Sequence, residues 1–273
     1  MEWWEDRGAV AQEEKRGVRR NFAKGAVSYD RHAAVQRHMA DELLARTAAA
    51  AAGASRILEI GCGTGYLTAL LHCANPQALL VAVDLDRALL SAARARLGPD
   101  AKTVWVMADG ETLDRGNFDL IIANATFQWF VHPRQTLEGL KQALAPGGTL
   151  AFATLGPGTF RELAASLRRA ADALGRPAPP IPASRFLDGQ DWFNLLQDAG
   201  FRDLDLQDAA VTVAYPGVAQ FLQSLKATGA TNPRPRPFSP RLLAALTESY
   251  RQDFGENGAI PATYEIIWAA AKK

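Results

Sequence analysis

The side chains best able to do chemistry converge on one stretch, Arg56-Ile-Leu-Glu-Ile-Gly-Cys-Gly-Thr-Gly65. Its first half is a short apolar run that reads as a buried strand. Gly61, Gly63 and Gly65 follow, and Tyr66, Leu67, Leu70 and Leu71 then take helical spacing. A strand that breaks into glycines and feeds a helix lets backbone approach a ligand, because no Cβ intervenes. That is the layout of a nucleotide site at the carboxyl ends of a parallel sheet. The dinucleotide fingerprint fails, since position 66 is a tyrosine, and a phosphate loop fails because no Gly-Lys-Ser/Thr follows. On the glycines alone, a tight structural turn is the competing explanation.

The acids that follow favour a ligand. A second apolar run, Leu79–Asp84, ends in a carboxylate about twenty residues beyond the glycines, the spacing at which an acid accepts from both hydroxyls of a ribose. The alternative use of Asp84, capping the helix over Ala88–Leu97, is better served by Asp86. A third strand, Thr103–Met107, leads into Asp109, Gly110 and Glu111, the last reading as a solvated loop charge. A fourth, Phe118–Asn124, releases Gln128 and Trp129 at its carboxyl end, where polar and aromatic side chains face cofactor and substrate in an open sheet. For Trp129 a place in the core is the alternative.

These strands alternate with helical segments, which predicts an α/β fold with a doubly wound parallel sheet. His32–Arg46 carries Val35, Met39, Leu43 and Leu44 on one helical face. His132 and Pro133 open a helix to Ala143, and Pro146-Gly147-Gly148 turns into a fifth strand, Thr149–Thr154. Further helices are expected at Phe160–Leu174, at Gly217–Thr228 and after Ser239-Pro240, an N-cap followed by a first-turn proline. The expected organisation is a flexible tail over residues 1–21 and one domain over 22–273. Within that domain, residues 22–46 form an N-terminal lid helix, and about 157–200 and 217–258 form cap elements.

Composition narrows the function. The chain has 273 residues, 48% hydrophobic and 22% charged, with a formal net charge of +1. That balance supports a sizeable core and excludes a strongly basic nucleic-acid binder. Only Cys62 and Cys73 are present, and His32, His38, His72 and His132 are scattered, so neither a disulfide framework nor a metal site is expected. No signal peptide or membrane span is apparent, and a cytoplasmic monomer is expected.

Several blocks carry a narrower likeness. Glu59-Ile-Gly-Cys-Gly-Thr-Gly65 resembles the first motif of class I S-adenosylmethionine (SAM) methyltransferases. Together with Tyr29-Asp30, Ala125-Thr-Phe-Gln-Trp129, Phe160-Arg-Glu-Leu163, Lys226-Ala-Thr-Gly-Ala-Thr-Asn232 and Pro261-Ala-Thr-Tyr-Glu265, it resembles the malonyl-acyl-carrier-protein O-methyltransferases of biotin synthesis, from about residue 17 to 271. The resemblance implies a Rossmann-like, mostly parallel seven-stranded sheet that ends in an antiparallel hairpin, with an inserted helical cap. Leu204–Ala214 and Ala262–Ala271 are the hairpin candidates.

It further implies that SAM is bound by Glu59, Gly61, Gly63, Gly65, Asp84, Leu85, Asp109, Gly110 and Asn124, with Asp109 on the adenine amino group. Tyr29 and Gln128 would act at the methyl-transfer region, with packing of the lid as the other role open to Tyr29. Trp129 would line the substrate pocket. A malonyl carboxylate is ionised at neutral pH, since carboxyl pKa values lie at about 4, so no general base is required. A cation should select it, Lys226 first and Arg234 or Arg236 as alternatives. An acidic carrier protein would meet a basic face drawn from Arg16, Arg19, Arg20, Lys24, Arg161, Arg168, Arg169 and Arg176. A methyltransferase for another small carboxylic acid, of the trans-aconitate type, and a non-catalytic SAM-binding protein are the competing readings.

Overall fold

The computed structural model describes residues 13, 15–17, 19–21, 29–99, 102–229 and 238–273. Seven strands form one sheet: β1 Arg56–Ile60, β2 Leu79–Asp84, β3 Thr103–Met107, β4 Phe118–Asn124, β5 Leu144–Leu155, β6 Arg202–Tyr215 and β7 Ile260–Lys272. Their spatial order is β3-β2-β1-β4-β5-β7-β6. The first five strands run parallel, β7 is antiparallel to β5, and β6 is antiparallel to β7. The order reverses between β1 and β4, and a crevice opens at the carboxyl ends of such a pair.

The near-continuous apolar runs of the central strands follow from burial on both faces. Alternate residues point to opposite sides. Ile57, Leu120, Ile122, Ala151 and Ala153 enter one core, while Leu58, Ile121, Ala123, Leu150 and Phe152 enter the other. The first core is closed by helices α1 Ala34–Arg46 and α2 Tyr66–Ala74. The second is closed by α4 Pro133–Ala143, and α3 Arg87–Leu97 packs Leu90 and Ala93 beside Cys62 and Ala82.

The inserted segments have two roles. Helices α5 Arg161–Ala173 and α8 Pro240–Phe254 lie against each other and contribute to the first core, while α6 Gly189–Asp198 brings Trp192 and Leu196 to the second. The turn Pro182–Arg185 and the end of α7 Val218–Ala227 reach the site instead. Asp188 and Asp191 form a capping box that starts α6, and Ser239 caps α8 by accepting from the Leu242 N–H at 3.3 Å.

Two of the family-like blocks meet as a clamp. The Thr263 N–H donates to Glu162 Oε2 at 3.0 Å and Thr263 Oγ1 donates to Glu162 Oε1 at 2.5 Å. Gly158 N–H donates to Glu265 Oε2, and Phe160 N–H to Thr263 O at 2.6 Å. The turn after β5 is thereby tied to β7, and Phe160 is held in a left-handed conformation at φ 60°. Burial opposes ionisation of Glu162, but the Thr263 bonds outweigh it and hold the carboxyl below its ordinary 4.5.

Glu162→Gln turns an amide NH2 toward the Thr263 donors, leaving buried groups unmatched at a cost of about 1–3 kcal/mol. The expected fall in Tm at neutral pH is on the order of 2–10 °C. A depressed folded pKa contributes stability that is complete above 4.5 and is lost as pH falls through the folded value, so the gap between variant and wild type narrows in acid. Thermal unfolding at several pH values measures this; equal Tm values at pH 7 would rule the clamp out.

Candidate active site

The glycine turn is wedged between two neighbours. Gly61 and Cys62 N–H groups both donate to Val83 O, at 2.8 and 3.0 Å, which joins the exits of β1 and β2. Gly61 has φ 71°, and a Cβ there would lie 2.2 Å from Thr126 Oγ1. Gly65 has φ 82°, and its Cβ would lie 2.8 Å from Ala93 Cα on α3. Gly63 differs: among the described residues no atom beyond its chain neighbours lies within 4 Å of where its Cβ would be, and it lines a cleft at the carboxyl ends of the strands.

Asp84 fixes that turn. Its Oδ2 accepts from Gly63 N–H and its Oδ1 from Asp86 N–H, each at 2.9 Å. Burial pushes its pKa up, opposed by those same N–H groups. Each oxygen retains a lone pair for a hydroxyl donor. Asp86 instead caps α3, accepting from the Ala88 N–H at 2.8 Å. Beyond β3, Asp109 Oδ1 accepts from Glu111 N–H at 3.0 Å and lines the cleft with Leu85, Ala108, Gly110 and Phe130. Glu111 is no solvated charge: its Oε1 accepts from the Val131 and His132 N–H groups at 2.6 and 2.7 Å, holding the turn that enters α4.

The exit of β4 forms the opposite wall. Asn124 Nδ2 donates to Gln36 O at 2.9 Å, and its buried Oδ1 has no donor among the described residues. Ala125 turns left-handed at φ 52°, and such strained residues gather at active sites. Gln128 is pinned at both ends, donating to Ala125 O at 2.9 Å and accepting from Thr154 Oγ1 at 3.0 Å. Below this loop, Phe127 stacks on Phe152 with ring centroids 4.2 Å apart, and Trp192 closes the cluster. Trp129 meets the edge of Phe186 at 5.6 Å.

A second, smaller cavity adjoins the cleft, sharing Tyr29, Ala125 and Trp129 with it. Its remaining wall includes Gln36, Gln128, Phe160, Pro182, Phe186 and Thr228. Tyr29 is set at the junction by Asp30, which accepts from Thr64 Oγ1 at 2.7 Å and pairs with Arg96 of α3. Burial, reinforced by Asp84 and Asp30, raises the Tyr29 pKa, so the phenol keeps its proton and can serve as a donor.

Of the residues expected to bind a cofactor, Gly61, Gly63, Asp84, Leu85, Asp109, Gly110 and Asn124 line the cleft. Glu59 and Gly65 lie behind its wall. Helix α7 buries Val218, Phe221, Ser224 and Leu225, and Lys226 is exposed near its end, two residues before Thr228 of the second cavity wall. Arg234 and Arg236 lie outside the described residues. The expected tail is helical at residues 13, 15–17 and 19–21, and Lys15 and Arg19 line the cleft. Nothing in the charge run around Lys15 marked it off from a solvated face. Among the described residues no cluster of metal-ligating side chains occurs, and no helix is long and apolar enough to cross a membrane.

Burial raises the Glu59 carboxyl from 4.5 to about 8, and Glu59 Oε2 has no hydrogen-bond partner among the described residues. Between those values the folded chain holds a proton that the unfolded chain has released, so stability falls as pH rises through that window. Glu59→Gln removes this slope: its Tm gains on wild type from pH 5 to pH 8, where about 4.5 to 8 is the active window. Parallel pH profiles would contradict the burial argument. Separately, Asp84→Ala is expected to weaken nucleoside binding at least about ten-fold by calorimetry, a loss of about 1.4 kcal/mol.

The family profile described as a methyltransferase domain matches residues 58–150, from β1 to β5. The malonyl-[acyl-carrier protein] O-methyltransferase of Brevibacillus brevis is 35% identical over 268 residues, covering 94% of this chain and 96% of that one. The protein of that name from Anoxybacillus flavithermus is 37% identical, covering 93% and 96%. A methyltransferase candidate from Bacillus halodurans C-125, solved by crystallography, superposes with a TM-score of 0.55 at 19% identity over 80% of this chain and 92% of that one, a likeness of fold alone. Aligned at this identity over 93–94% of its residues, the chain belongs to the malonyl-[acyl-carrier protein] O-methyltransferase family.

Proposed function

We propose that the protein methylates the free carboxylate of a malonyl group carried on acyl carrier protein, with SAM as methyl donor, in the supply of pimelate for biotin. The observation that carries the reading is the junction of two cavities at Tyr29, Ala125 and Trp129, in a chain whose relatives bear that activity in their names. One cavity has the polar wall of a nucleoside site; the other is lined largely by apolar and neutral polar groups.

The residues present fit SAM. Gly63 leaves open space where a side chain would stand, Asp84 retains acceptor capacity beside it, and the buried Asn124 Oδ1 lacks a donor. In this assignment Asp84 holds the ribose hydroxyls, Asp109 the adenine amino group and Asn124 the amino-acid end. When bound, SAM supplies a methyl group made electrophilic by its sulfonium.

The chain's own contribution is placement. A malonyl carboxylate arrives ionised, so no residue has to remove a proton, and none of the groups lining the junction is a poised base. Tyr29 donates its O–H toward the junction, while the pinned Gln128 and the Trp129 ring limit how the acyl end enters. Positioning of this kind supplies up to about 7–11 kcal/mol of a barrier. Phe160, Pro182 and Phe186 keep water from the reacting atoms. The carrier protein is acidic, and the exposed Arg168 and Arg169 of α5 belong to the basic face offered to it.

Incubation of malonyl carrier protein with SAM and the purified enzyme is expected to add one methyl group to the malonyl moiety, read by mass spectrometry. Methylation of a free diacid with none on the carrier-bound malonyl group would overturn the substrate. No methylation of either would overturn the activity.

A further inference from the structure

The cofactor cleft contains a cation that the proposed chemistry does not use. Lys15 Nζ lies 2.6 Å from Asp109 Oδ2 and also pairs with Glu111 Oε2. The Glu111 side chain is only 3% exposed, and its other oxygen is committed to the amino end of α4 through Val131 and His132. Glu111 therefore cannot swing away without breaking both of those bonds. Asp109 sits two residues earlier, with one oxygen on the Glu111 N–H. Two carboxylates this close repel, and without a cation between them the freer one, Asp109, would rotate away and take an acceptor from the cleft wall.

We infer that Lys15 is a positioning residue for the adenine end of the cofactor: its ammonium, lying between Asp109 and Glu111, holds the Asp109 carboxylate facing the cleft. The inference rests on the reading of Asp109 as acceptor of the adenine amino group. Lys15 acts through Asp109, whose oxygens keep free lone pairs after its bonds to Lys15 and Glu111. Desolvation works against the Lys15 charge, but its bonds to Asp109 and Glu111 outweigh it and raise its pKa, so the ammonium persists. The cofactor site thus extends into the segment before residue 22. Arg19, with its Nε 3.7 Å from Asp86 Oδ2, lines the same cleft.

The test is a pair of dissociation constants for each protein, measured by calorimetry. One ligand is S-adenosylhomocysteine; the other is its analogue with purine in place of adenine, which lacks the amino group. Wild type is expected to prefer the first. Lys15→Met should weaken S-adenosylhomocysteine about ten-fold, or about 1.4 kcal/mol, and leave the purine analogue unchanged, so that the preference collapses. Lys15→Arg should restore it, and Lys15→Gln, which keeps a donor without charge, should follow Lys15→Met.

A retained preference in Lys15→Met, equal weakening of both ligands, or tighter binding of S-adenosylhomocysteine overturns the inference, the last by showing that Lys15 competes with adenine. Asp109→Ala, which removes the acceptor altogether, separates the two levels. If it keeps the preference, the adenine assignment itself fails. If it loses the preference while Lys15→Met keeps it, only the role of Lys15 fails.

Discussion

The site depends on one carboxylate. Asp84 stands at the end of β2 and binds the backbone of the neighbouring crossover through Gly63 and its own helix entrance through Asp86. Together with the Gly61 and Cys62 bonds to Val83, it locks the exits of two adjacent parallel strands into one rim. Such a rim is rigid at low cost in side-chain entropy, because backbone donors do the holding. The same burial that makes Asp84 a firm strut also raises its pKa and prepares it to take further donors. The two oxygens that hold the turn are thus also the ones to which the proposed function assigns the ribose hydroxyls.

The second requirement is a bend at the end of β4 and another at the end of β5. Ala125 and Phe160, both left-handed without being glycine, line the second cavity together. Strain at such positions costs about 1–3 kcal/mol each and persists only where the surroundings over-determine it. For Phe160 the surroundings are the clamp of Glu162 and Glu265 on β7 and the rings of Phe221 and Tyr264. For Ala125 they are its N–H bond to Ala153 O and the bond that Gln128 sends back to it. Family-like blocks therefore shape the second cavity from behind.

The sheet was legible because its physics is local. Apolar runs bounded by glycines and acids marked β1 to β4, and the hairpin candidates coincide with β6 and β7 to within a few residues. Asp84 could be separated from Asp86 by position alone: one ends a strand, the other sits where a helix needs its cap. Strand β5 was read as beginning at Thr149, because Pro146-Gly147-Gly148 signals a turn, whereas its ladder starts at Leu144 and accommodates an irregularity. The residues that escaped depend on long-range contacts. Glu111 looked like a loop charge until the turn before α4 supplied two N–H groups, and Lys15 looked like part of a solvated run until the fold brought Asp109 to it. Lys226 is the converse case: it was read from a family-like block, which does not say which side of its helix faces the substrate, and its side chain is exposed on α7.

The most direct measurement is the crystal structure of the protein grown with S-adenosylhomocysteine. The account predicts density along the cleft, with ribose hydroxyls on Asp84, adenine against Asp109, and the sulfur facing the junction formed by Tyr29 and Trp129. Density for that ligand elsewhere, or a ribose turned away from Asp84, would contradict it.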